Sequence, residues 1–129
     1  MHRSRYRTLL VAAVAALALS SVALASGGLS GTYKTTIKGP AELKGTWALA
    51  LATGGTYTVT MGGHPVARGT YSSTSTTITF LHERGSGCNG VGTYGWKRSG
   101  KTVTFVRKRE ASSCQGRAAV LAHRFTQVG

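Results

Sequence analysis

The 129-residue chain contains no Asp, and only three Glu, two Pro and two Cys. Without Asp, the side-chain carboxylates are Glu42, Glu83 and Glu110, each in or beside a segment that reads as a loop. Asp-based metal centres and paired-carboxylate mechanisms are therefore short of parts. Neither C-x-x-C nor H-x-x-x-H or H-x-H spacing occurs, so no metal site is expected. A G-x-S-x-G turn is also missing. A serine nucleophile arrangement can be drawn from His82, Glu83 and Ser86, but Ser86 lies in a Gly-rich loop. An enzyme is not expected, nor is a cofactor. Asn89, the single Asn, is followed by Gly-Val, which leaves no N-glycosylation acceptor. Charged residues are scarce at 15% and apolar ones make up 41%, which argues against the disordered and coiled-coil classes.

The amino terminus reads as an export signal over residues 1–25. Arg3, Arg5 and Arg7 precede an apolar run from Leu9 to Leu19, and Ala23-Leu24-Ala25 forms an A-x-A cleavage site before Ser26. The run breaks at Ser20-Ser21, short of the roughly 20 apolar residues that a membrane-spanning helix needs. No Cys follows the cleavage site, so a lipobox anchor is excluded. Cleavage leaves one domain, residues 26–129, with a net charge of +10 and no membrane span.

In a secreted protein, Cys88 and Cys114 are expected to pair as a disulfide. Pairing residue 98 with 101 in a hairpin places Cys88 opposite Ala111. Cys114 lies three residues beyond that, within reach if the chain curls back.

Period-two alternation of apolar and polar residues dominates residues 26–129. It marks eight segments: 33–38, 43–51, 56–61, 66–71, 76–82, 91–98, 102–109 and 121–128. Thr fills many of the polar positions, where a β-branched hydroxyl suits a solvated strand face. Gly39-Pro40, Gly54-Gly55, Gly62-Gly63, Ser72-Ser73 and Ser99-Gly100 supply turns between them. Eight short strands with short connections predict an all-β, eight-stranded antiparallel up-and-down barrel, because closure hides the apolar face and removes exposed edges. A two-sheet Greek-key sandwich is the alternative. Residues 112–120 do not alternate and read as a short helix before the last strand.

Gly31-Thr32-Tyr33, opening the first strand, resembles the G-x-W motif of lipocalins and their calycin relatives, with Tyr in place of Trp. Cys114-Gln115-Gly116-Arg117 is similar to a stretch in small exported bacterial lipocalin-like domains. The resemblance implies a lipocalin-like barrel in which a late basic residue packs across the aromatic, a position that Arg124 could match.

A meander places connections 39–42, 62–65, 83–90 and 110–120 at one rim, together with the disulfide, and any mouth is expected there. Alternation sets Arg107 after Val103 and Phe105, His82 after Ile78 and Phe80, and His123 between Leu121 and Phe125, all near that rim. The functional reading is an anionic head group held by Arg107, His82 and His123, with apolar walls from Trp47, Tyr57, Trp96 and Phe105. The plainer reading makes the three basic residues half-solvated strand ends. Nine rings share the inner face, enough to fill the barrel or to line one small cavity.

Lys97, Arg98, Lys101, Arg107, Lys108 and Arg109 concentrate positive charge on one hairpin with aromatics between them. That pattern can bind single strands of nucleic acid, but an exported protein meets anionic envelope polymers and acidic proteins instead. The plainer alternative is a solvated surface. The expected function is a secreted binding protein for a small apolar or amphipathic ligand. The alternative is a filled barrel acting as a secreted inhibitor or cell-envelope-associated factor.

Overall fold

Alternation resolves into eight strands in the structure, a computed structural model that describes residues 28–129. They are β1 (Gly31–Ile37), β2 (Gly45–Leu51), β3 (Thr56–Met61), β4 (His64–Ser73), β5 (Thr77–Arg84), β6 (Gly92–Ser99), β7 (Thr102–Arg109) and β8 (Phe125–Val128). Each pairs antiparallel with its sequence neighbour, and β8 closes onto β1 to complete one barrel. The export signal read over residues 1–25, and the start at Ser26, lie outside the described residues. Among the described residues no helix is long and apolar enough to cross a membrane.

The helix expected before the last strand is present, as a 3-10 turn at Ser112–Cys114 continuing into α1 (Gln115–Leu121). It runs one residue further than the alternation implied. The last strand is correspondingly shorter: Leu121 ends the helix, His123 sits in a turn, and β8 begins only at Phe125.

Six rings fill much of the interior: Tyr33, Tyr57, Phe80, Tyr94, Phe105 and Phe125 are all buried. Tyr57 meets Phe80 edge-on at 5.0 Å, Phe80 meets Tyr94 at 6.0 Å, and Phe105 meets Phe125 at 5.7 Å. Such pairs contribute about 0.5–1.5 kcal/mol each beyond their buried area. Gly69 makes one of these positions possible, because a Cβ there would lie 2.8 Å from the Tyr57 ring and 2.6 Å from the Leu81 carbonyl.

The short-loop rim is sealed by a polar lock. The Tyr33 hydroxyl donates to the Ser30 carbonyl at 2.6 Å, and Arg98 donates to the same hydroxyl at 2.7 Å while lying over the ring. Arg98 also donates to Gln127 at 2.7 Å. The basic residue that crosses Tyr33 is thus Arg98, not Arg124. Tyr33 pairs with Gln127, whereas Arg124 precedes β8 and is exposed.

Of the three register shifts toward the opposite rim, those in β5 and β7 decide where His82 and Arg107 face. In β5, Leu81 pairs with Thr70 but Arg84 pairs with Arg68, so β5 carries an extra residue. His82 takes a left-handed φ of 52° there. In β7, Arg107 pairs with Tyr94 and Arg109 with Thr93, which leaves Lys108 bulged. A one-residue insertion reverses the facing of everything after it.

The β6–β7 hairpin turns with Ser99 opposite Thr102, not with 98 opposite 101, which moves the register by two residues. The bulge adds a third. Extended past the ladder, this register sets Cys88 opposite Cys114, and the two form the disulfide with their Cα atoms 4.6 Å apart.

Candidate functional site

The barrel is filled unevenly. An apolar cavity of about 180 Å³ remains at the long-loop rim, between the β2–β4 wall and α1. Leu43, Trp47, Val59 and Val66 line one side, and Gly116, Val120 and Leu121 of α1 line the other. Trp47 is fixed by its indole N–H, which donates to the Leu43 carbonyl at 2.7 Å.

Glu83 and Arg117 are the charged residues on that lining. Their side chains are only 5% and 6% exposed, and the neighbouring Glu110 is fully buried, so each charge must find partners. Arg117 reaches Glu110 through two parallel bonds, Nε to Oε2 at 2.9 Å and Nη2 to Oε1 at 2.6 Å. Its Nη2 also donates to the Gly90 carbonyl at 2.8 Å, and its Nη1 reaches Glu83 at 3.4 Å. Tyr57 donates to Glu83 at 2.6 Å, Ser86 donates to the other Glu83 oxygen, and Tyr94 donates to Glu110. Gly92 leaves room for the pair, since a Cβ there would sit 2.5 Å from Glu110 and 2.7 Å from Arg117.

The cluster perturbs its members in ways their surroundings explain. Burial raises the pKa of the Tyr57 and Tyr94 phenols well above the ordinary value, and the carboxylates they donate to raise it further. Burial alone would push the Glu110 carboxyl up. Hydrogen bonds from Arg117, Tyr94 and the Ala111 amide outweigh it and hold the group below its usual range. Arg117 is likewise disfavoured by burial, yet the Glu110 hydrogen bonds and charge keep it firmly protonated.

Of the residues singled out from sequence, Trp47 and Tyr57 line the cavity. Arg107 does not. It is exposed, and its guanidinium donates to Gln115 at 3.4 Å beside a shallow depression on the far side of α1. Phe105 is core and borders that depression, and Trp96 sits toward the other rim, its indole bonded to the Thr74 carbonyl at 3.0 Å. His82 is turned out by its left-handed backbone, and His123 lies in the turn after α1. The Ser86–Glu83 pair therefore forms without the imidazole that a nucleophile arrangement requires.

Arg117, Glu110 and the inward turn of Glu83 are what reading the sequence missed. One signal was available: a basic, Asp-free chain keeps two of its three carboxylates at strand ends flanking the disulfide. Among the described residues no three His, Cys, Asp or Glu side chains gather as a metal site. Among the described residues, burial of Glu83 and Glu110 leaves twelve exposed Lys and Arg against one exposed acid, Glu42.

The fold and site thus define an eight-stranded barrel with a charge-paired apolar cavity at one rim. No protein-family model matches the chain, and no curated protein or solved structure matches it either.

Proposed function

We propose that this is a secreted, lipocalin-like binding protein for a small, largely apolar ligand, held in the cavity between the β2–β4 wall and α1. The observation that carries the reading is the cavity itself: about 180 Å³ of apolar-lined space in a barrel whose other half is packed with aromatic rings. An unfilled apolar cavity costs stability, on the order of 24 cal/mol per Å³ in core truncations. Its size suits a group no larger than about one substituted benzene ring, because a cavity of roughly 150 Å³ accommodates benzene and drug-sized pockets start near 300 Å³. A whole fatty-acyl chain is too large. Export is supported by the residue 1–25 signal pattern and by the buried disulfide, which persists in oxidising compartments.

Toluene titrated into the disulfide-bonded protein should shift the NMR signals of Trp47 and Val59, while Val59→Phe, which fills the space from β3, should abolish the shift without unfolding the barrel. Unchanged spectra at saturating toluene would rule out the cavity as a ligand site.

The exposed charge favours a second reading, a barrel that docks on an anionic envelope polymer or an acidic protein. Retention on a polyanionic resin that persists well above physiological salt would support it, and elution at low salt would count against it.

A further inference from the structure

We infer that the ligand carries an uncharged hydroxyl, an alcohol or phenol, seated between Glu83 and Arg117; this rests on the cavity being the ligand site. Among the described residues, not every hydrogen-bond position in the buried cluster is taken.

Glu110 is saturated. Its Oε1 accepts from Arg117 Nη2 and the Ala111 amide, and its Oε2 accepts from Arg117 Nε and the Tyr94 hydroxyl. On Glu83, Oε1 accepts from Tyr57 and from Arg117 Nη1, whereas Oε2 accepts from Ser86 alone. A carboxylate offers about four acceptor positions, so one remains on Oε2. Arg117 has five N–H groups in a rigid fork. Nε serves Glu110, Nη2 serves Glu110 and the Gly90 carbonyl, and Nη1 serves Glu83 with one hydrogen, leaving the other.

One acceptor and one donor are thus left over on adjacent groups. Both residues line the cavity, and both side chains are more than nine-tenths buried. Buried polar groups are rarely left unmatched. A hydroxyl meets both positions at once, donating to Glu83 Oε2 and accepting from Arg117 Nη1. A carboxylate has no proton to give, and it would face a cluster of two carboxylates and one guanidinium whose formal charge is −1. An ammonium can answer that charge but cannot accept from Arg117. Ser86 and Ser113 on the lining are already bonded to Glu83 and to the Asn89 amide, and the remaining lining is apolar and suits a body the size of a ring.

Calorimetric titration of the intact disulfide-bonded protein at pH 7 with phenol, toluene, benzoate and benzylamine separates these cases, since phenol and toluene differ by a hydroxyl against a methyl of similar volume. Phenol should bind about tenfold more tightly than toluene, the scale of a hydrogen bond to a charged group. Benzoate and benzylammonium should bind more weakly than toluene. In Glu83→Gln the phenol advantage over toluene should fall to threefold or less, with an unchanged far-ultraviolet circular dichroism spectrum checking that the barrel is folded. Toluene binding as tightly as phenol would overturn the hydroxyl while leaving the cavity reading intact, as when a water holds the two positions. A preference for benzoate or benzylammonium would overturn it in favour of a charged head. No binding by any of the four, toluene included, would remove the cavity reading and this inference with it.

Discussion

Arg117 and Glu110 stand seven residues apart, on either side of Cys114, and meet in a bidentate pair with contacts of 2.9 and 2.6 Å. The disulfide anchors the start of α1, and the ion pair draws the first turn of that helix over the rim.

Removing one member of a buried pair strands the other. Arg117→Leu leaves Glu110 buried and unpaired, and should destabilise the barrel by about 3–5 kcal/mol in urea unfolding. Combining it with Glu110→Leu removes the stranded charge, so the double variant should be more stable than Arg117→Leu alone. A double variant as unstable as the sum of the two singles would show that the pair is not coupled.

Stability should fall at both ends of the pH range. Glu110 titrates below the ordinary carboxyl value of 4.5 in the folded state, so its contribution is present above that pH and is lost as acid takes the pH down through the folded value. Tyr57 and Tyr94 titrate above the ordinary phenol value of 10.0, so the unfolded chain releases protons that the barrel retains. Stability they confer is full below pH 10.0 and declines as the pH rises. Unfolding free energies between pH 2 and 12 should therefore form a plateau with two falling limbs, and Glu110→Gln should flatten the acid one. Tyrosinate absorbance from these two rings should appear only with unfolding.

Reduction should loosen the rim that carries the cavity. The Cys88–Cys114 bridge spans 26 residues of sequence. In the chain-entropy model, closing a loop of that length is worth about 3.5 kcal/mol. Replacing both Cys by Ala should lower stability by up to that amount, with amide exchange rising first in the 85–91 loop and α1.

Arg98 and Arg124 should behave differently despite equal charge. Arg98→Met removes the lid over Tyr33 and two hydrogen bonds at 2.7 Å, which should cost about 1–3 kcal/mol. The exposed Arg124→Met should stay within about 0.5 kcal/mol of the parent. Equal losses would mean that the short-loop rim is not locked by Arg98.

The sequence by itself determined the barrel. Alternation, Thr-rich outer faces and Gly or Ser turns are local properties, and eight such strands have few ways to hide one apolar face. It also placed Cys88 near Cys114, and any mouth at the long-loop rim. Tertiary structure decided which of two neighbours turns inward beyond each bulge. A period-two count carries Ile78 and Phe80 on to His82, and Val103 and Phe105 on to Arg107. The extra residues in β5 and β7 turn Glu83 and Glu110 inward in their place. No local pattern favours burying a carboxylate over an imidazole or a guanidinium, because an unpaired buried charge is costly. The choice becomes favourable only when Arg117 arrives from α1, seven residues past Glu110 and 34 past Glu83, to pair with Glu110 and donate to Glu83.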